Sequence, residues 1–150
     1  MSQFAEHRKV LQALKEFESS IQDMVTDMGN TALNHTLESF RNQGFTDEGL
    51  VKWKPRKRNR DGRDEGRGIL IGRGSGTTGL RGSYRKIQRG RWAVSIVNSK
   101  KYAAVHNEGL RAGRGTGFKM PERRMIGNSA TMNRKIIQKI NQRIKRIYNG

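Results

Sequence analysis

Gly74-Ser75-Gly76-Thr77-Thr78-Gly79 is the run in this chain that most invites a chemical reading. In a dinucleotide fold, glycines at this spacing let backbone approach a pyrophosphate where a helix begins. The run follows the strand-like Ile69-Leu70-Ile71, but another strand pattern comes after it instead of a helix. No acidic residue lies about 20 positions on to hold a ribose, and no Gly-Lys-Ser/Thr follows to make a P-loop. The run therefore reads as a flexible turn between strands. His106 and Glu108 resemble a base with an orienting carboxylate, but such near neighbours on a helix do not face each other. No Ser or Thr is placed beside them as a nucleophile. His106 reads as a packing or interface residue. His7, His35 and His106 are too scattered for a metal set, and with no cysteine there are no thiolate ligands and no disulfides. The absence of cysteine fits a reducing cytosol. After residue 50 the only acids are Asp61, Asp64, Glu65, Glu108 and Glu122, too few for paired-carboxylate chemistry. No catalytic, cofactor-binding or metal-binding residue is assigned.

The abundant chemistry is cationic. Residues 1–50 carry four basic and eight acidic side chains, whereas residues 51–150 carry 27 basic against five acidic. A body so charged repels copies of itself unless a polyanion or an acidic surface offsets the field. DNA phosphate is the obvious candidate. The residues chosen for contact with DNA or acidic partners are Arg56, Lys57, Arg58, Arg60, Arg63 and Arg67, with Arg111 and Arg114 in a second Gly/Arg loop. Sequence-specific readout is not expected: there is no helix-turn-helix pattern, zinc ligand set or ribonucleoprotein aromatic motif.

The elements that must position these residues follow from periodicity. Val10, Leu14, Phe17, Ile21, Met24 and Met28 recur at spacings of three and four, with Leu11 and Val25 widening the stripe. This predicts a long amphipathic helix from residue 3, with a pause at the cap-like Gly29-Asn30 before the stripe resumes at Leu33, Leu37 and Phe40. One kinked helix or two both fit, packing either on the body or on another subunit. Lys54 to Gly68 has no apolar residue and predicts an exposed loop, mobile in isolation. Residues 80–87 and 91–97 predict two strands with a turn at Gln88-Arg89-Gly90. Lys101 to Glu108 predicts a short helix stopped by Gly109. Asn128-Ser129 should cap a last helix striped by Ile136, Ile137, Ile140, Ile144 and Ile147.

The supply of core residues is thin. Leu, Ile, Val and Phe total 30 of the 150 residues, near the limit for a stably folded, highly charged chain. Some stability must therefore come from neighbours. No apolar run approaches the roughly 20 residues that span a bilayer, and the polar segment Met1–Val10 predicts no signal peptide. Use in the cytoplasm, away from membranes, is the expectation.

In order, the landmarks resemble the phage virion-morphogenesis and tail-completion family, which includes neck and Mu-like G proteins. They are the long helix, Gly44-Phe45, Trp53-Lys54-Pro55, Ile69-Leu70 and Gly79-Leu80-Arg81-Gly82-Ser83. The hairpin ending at Val97, Tyr102-Ala103-Ala104-Val105-His106-Asn107-Glu108-Gly109, and Met120-Pro121-Glu122-Arg123-Arg124-Met125-Ile126-Gly127 follow before the terminal helix. The most specific part is Tyr-Ala-x-x-His-x-x-Gly followed by Pro-x-Arg. The basic 54–68 segment is longer and more charged than the family pattern.

This resemblance implies a small α+β subunit, with long N-terminal and C-terminal helices packed on a small antiparallel sheet and long basic loops. It would be one domain over 1–150, with a helical arm at 1–43, the basic loop at 54–68, and sheet plus terminal helix at 69–150. It implies a non-enzymatic virion protein that completes or terminates the tail and joins it to the head as a ring, a hexamer in many relatives, at the neck. Other neck, connector and tail-tube proteins, and genomic DNA bound without sequence preference, would be its partners. It would act in the virion after assembly in the host cytoplasm. Tyr102, His106, Pro121 and Arg123 are carried over as fold or junction landmarks. The alternative is a sequence-nonspecific nucleic-acid-binding module.

Overall fold

The computed structural model describes residues 3–57, 67–71 and 79–149. The candidate cations Arg58, Arg60 and Arg63 and most of the Gly74–Gly79 run lie outside them. Among the described residues, ten elements follow in order. Helix α1 (Gln3–Asn42) leads to strands β1 (Gly44–Thr46) and β2 (Leu50–Lys52). A 3-10 turn (Arg81–Ser83) precedes β3 (Tyr84–Arg89), β4 (Ala93–Asn98) and helix α2 (Tyr102–Glu108). Strands β5 (Arg111–Ala112) and β6 (Phe118–Lys119) and helix α3 (Ala130–Asn149) complete the chain. The class is α+β. The antiparallel pairing is distributed over three two-stranded sheets, β1-β2, β3-β4 and β5-β6.

The long helix runs through Gly29 without interruption, spanning 40 residues. Gly29 is no cap. A Cβ there would sit 2.5 Å from Lys86 Cδ and 2.7 Å from Val94 Cγ2, so the glycine lets the β3-β4 hairpin approach the helix backbone. The helix ends at Gln43, which takes a left-handed conformation (φ 52). The side chain of Gln43 donates to the Phe40 carbonyl (2.6 Å) and accepts from the Ile69 amide, while its own carbonyl receives the Trp53 amide (2.8 Å).

That arrangement overturns the strand expected at 69–71. These residues form a turn with Leu70 at φ 62, and Ile69 and Leu70 pack against the core instead of pairing in a ladder. Three apolar residues are too few to distinguish a strand from a core-capping turn. The central hairpin is displaced from its expected register. Its first strand starts at Tyr84, and the turn is Gly90–Trp92, with Arg89 paired to Ala93. The Gly/Arg loop expected over 111–119 is instead a short hairpin, with Arg111 opposite Lys119.

The core is formed by Phe40, Trp53, Leu80, Tyr84 and Met125. Phe40 and Met125 are fully buried. The Phe40 ring meets Trp53 edge-on at 5.5 Å and Tyr84 at 6.0 Å. Burial pushes the Tyr84 phenol up to about 12. Along α1, Ile21, Met24 and Val25 are also buried.

Helix α3 runs antiparallel to α1. Arg143 pairs with Asp23 and Asp27 (3.2 and 2.7 Å), Lys139 donates to Thr31 (3.0 Å), and Lys135 lies 3.7 Å from Glu38. The start of α3 is capped locally by Ser129, whose Oγ accepts the Met132 amide (3.1 Å), and from a distance by Asp47, which accepts the Ala130 amide (2.6 Å).

Candidate functional site

The family landmarks, scattered in sequence, converge on one strap. Helix α2 ends at Gly109, whose left-handed conformation (φ 65) any side chain would strain. The chain then returns past it. The Met120 amide donates to the Leu110 carbonyl (3.0 Å) and the Arg123 amide to the His106 carbonyl (2.8 Å). Asn107 Oδ1 accepts both the Met125 and Ile126 amides, at 2.8 and 3.1 Å. On the other side, Trp53 Nε1 donates to the Arg124 carbonyl (2.8 Å), and Ser39 Oγ donates to the Met125 carbonyl (3.1 Å). Segment 120–126 is therefore fastened to α1, the chain after β2, and α2 at once. Trp53 and Asn107 stand in the landmark strings without an assigned role there. Their signal is only that a polar side chain and an indole N–H fall within the landmark strings.

Arg123 is 6% exposed. Its Nε donates to the Lys54 carbonyl (3.1 Å) and its Nη2 to the Pro55 carbonyl (3.5 Å). Burial, and then the charge of Arg56, push its pKa down. This guanidinium brackets backbone and stands beside a second cation, a setting that an incoming anion would relieve. His106 is half-buried and edge-on to Tyr102 at 6.1 Å. Its pKa is lowered by burial and then by Arg123, which favours the neutral ring. Tyr102 is exposed.

Over this strap opens a cleft of about 920 Å³. Its walls are the 54–57 segment, the end of α2, strand β6 and Met120–Arg123. Five cations line it, Lys54, Arg56, Lys57, Lys119 and Arg123, against the two acids Glu108 and Glu122. Phe118, 60% exposed, supplies an apolar face. Of the predicted cations, the cleft thus gathers Arg56 and Lys57 with the landmark residues Pro121 and Arg123. Lys54, Phe118 and Lys119, which are not among the predicted contact residues, are brought there by the fold. Arg56 donates to the carbonyl of Arg67, which is half-buried. Arg111 closes its own hairpin by donating to the Thr116 carbonyl (3.0 and 2.7 Å), and Arg114 is exposed in that hairpin's loop.

The cleft can hold an anionic, partly apolar surface. Among the described residues, no group of three His, Cys, Asp or Glu is placed to hold a metal. No described helix is long and apolar enough to cross a membrane.

No curated protein and no solved structure matches the chain. The model of the phage virion morphogenesis family matches residues 3–145, a span that takes in the long helix, the landmark strap and most of the terminal helix. Those elements and that span make the assignment together: this chain belongs to the phage virion morphogenesis family and is a component of phage particle construction.

Proposed function

We propose that this virion protein completes or terminates the tail and joins it to the head as a ring at the neck, without catalysing a reaction. One observation carries the reading. Among the described residues nine hydrophobic side chains are buried, while fifteen large ones are exposed. That distribution suits a subunit whose remaining burial is supplied by neighbours, because apolar area removed from water counts equally across an interface, at about 25 cal/mol per Å². The partners proposed are further copies of this chain and the connector and tail-tube proteins on either side.

Phage particles assembled without this protein test the proposal by electron microscopy. Filled heads and separate or mis-terminated tails are expected. Normal joined particles would overturn it.

The cationic cleft favours a second reading, sequence-blind contact with DNA, and this reading is compatible with the first. Binding of duplex DNA is then expected to weaken as salt rises. Replacing Lys54, Lys57 and Lys119 together by Gln should flatten the log–log salt slope by about 2.7 if each touches a phosphate. An unchanged slope removes the cleft from any DNA contact.

A further inference from the structure

We infer that the first turns of α1 are an arm that packs on the outer face of α3 in a neighbouring copy of this chain. The inference specifies the self-contact of the ring proposed above and rests on that reading for its biological setting alone.

The arm is a geometric fact. Buried residues of α1 begin at Ile21. Before them, Phe4, Val10, Leu11, Leu14 and Phe17 are all exposed, Phe4 by 80% and Leu14 by 58%. From Gln3 to Ser20 the helix extends about 27 Å. Val10, Leu14 and Phe17 continue, at helical spacing, the line of Ile21, Met24 and Met28. The stripe that packs inside the subunit thus runs on without a break into a part whose apolar side chains stay exposed, although Arg91 of the β3-β4 turn reaches the Glu18 carboxylate near its end (3.5 Å).

Helix α3 has a matching surplus. Ile136, Ile140 and Ile147 are half-buried, on the same side as Arg143, which holds α1. About a quarter turn round the helix lie Ile137, Ile144 and Tyr148, exposed by 57%, 38% and 85%. None of the residues of α3 is buried. Arg134 and Lys145 border this outer face along the groove that holds Ile137. It therefore repeats the chemistry of the inner one, isoleucines bordered by cations, and the inner face already accepts α1.

Size and charge select the occupant. The arm's apolar patch, Phe4 to Phe17, is about 20 Å long, and the patch from Ile137 to Tyr148 about 17 Å. α3 carries six basic residues and no acid. The arm balances Glu6, Glu16 and Glu18 against Arg8, Lys9 and Lys15, so it can approach α3 without the repulsion that two cationic bodies feel. Pairing arm with arm would leave the outer face of α3 bare; arm on α3 covers both patches. The two surfaces differ, so each copy gives one and receives one. Such head-to-tail contacts close into rings when the rotation allows.

The absence of cysteine makes the test clean. Leu11→Cys and Ile144→Cys proteins, one of them tagged, are mixed and treated with a short bis-maleimide. A crosslinked tagged–untagged dimer is expected at least ten times more abundantly than dimer in either variant alone. Abundant crosslinking of Leu11→Cys with itself overturns the inference in favour of paired arms. An oligomer that gives no crosslink in the mixture also overturns it, while leaving the ring reading intact. A second variant, Leu14→Asp with Phe17→Asp, should be monomeric with unchanged helicity, and its unfolding midpoint should not depend on protein concentration, whereas that of the parent should rise with it. An oligomer that survives both changes overturns the arm contact. If the contact holds but its loss leaves particles normal, the arm inference stands and the neck role falls.

Discussion

Asn107→Ala should be among the most damaging single changes outside the aromatic core. The Asn107 oxygen accepts two backbone amides of the 120–126 strap, those of Met125 and Ile126, at 2.8 and 3.1 Å. Met125 is fully buried, so water cannot replace the lost acceptor without moving the strap. An unsatisfied buried amide costs roughly 1–3 kcal/mol. With Ile126 only half-buried, the pair should cost about 3 kcal/mol, which lowers Tm by about 6–12 °C in a domain of this size. Asn107→Asp is the informative partner. Its carboxylate keeps the acceptor, as a stronger one, in a chain of net charge +18. It should stay within about 1 kcal/mol of the parent. Urea titrations read both, best in the Leu14→Asp, Phe17→Asp background so that association does not move the midpoint. A loss below about 1 kcal/mol for Ala, or an Asp variant as unstable as Ala, would refute the reasoning.

Gly29→Ala should destabilise despite a helix-propensity gain of about 1 kcal/mol. Lys86 can swing away, giving up its bond to Asn30 (2.6 Å), but Val94 is β-branched on a paired strand and cannot, so a net loss of about 1–2 kcal/mol in a urea titration is expected. A more stable Ala variant would show that the hairpin yields. Acidification should also destabilise. Burial lowers the pKa of both His35 and His106 below 6.5, so the unfolded chain takes up protons that the folded one refuses. Stability is then full above pH 6.5 and falls as pH drops below it. Both ring nitrogens of His35 are buried without a hydrogen-bond partner among the described residues, and the ring stands edge-on to Phe45 at 5.5 Å. His35→Phe should accordingly flatten the profile, and a parent midpoint constant from pH 7 to about pH 5 contradicts the assignment. Arg143→Ala loses partly exposed pairs to Asp23 and Asp27 and should cost about 1 kcal/mol at low salt, less in 1 M NaCl; a loss unaffected by salt would trace to packing instead.

The elements that declare themselves in the sequence are those whose signal is local. The terminal helix has its cap and isoleucine period, the short helix has Gly109, and β3-β4 has enough alternation to be found within a few residues. What was not legible depends on distant partners. Gly29-Asn30 has the composition of a helix end, yet the helix continues through it, and the glycine is there because the hairpin needs the space a side chain would fill. Ile69-Leu70-Ile71 has strand composition, but the Gln43 side chain, 26 residues away, satisfies its backbone and holds it as a turn. Strands of two residues, such as β5 and β6, leave no period to detect. The site divides in the same way. Arg56 and Lys57 stand out within a basic run, whereas Phe118 and Lys119 become its opposite wall only through the return of the chain past α2.

Folding does not dilute the charge asymmetry of the sequence; it sorts it. The acids that meet Arg91, Lys135 and Arg143 all come from α1. The helix pair is thereby partly neutralised on its inner side, while the 54–57 segment and β6 face each other with, among the described residues, two acids, Glu108 and Glu122, lining the cleft. Repulsion between copies is smaller where the charge-balanced arm of α1 is presented than where two cationic clefts would meet. Subunits that associate through the arm and the outer face of α3 would leave their clefts apart and open. Contacts of the first kind rest mainly on apolar area and are not weakened by charge screening, whereas those of the second rest on fixed charge and fade as the Debye length shortens from about 8 Å at 0.15 M to about 3 Å at 1 M. A ring built this way can stay closed while its hold on a polyanion remains weak enough for the polymer to slide.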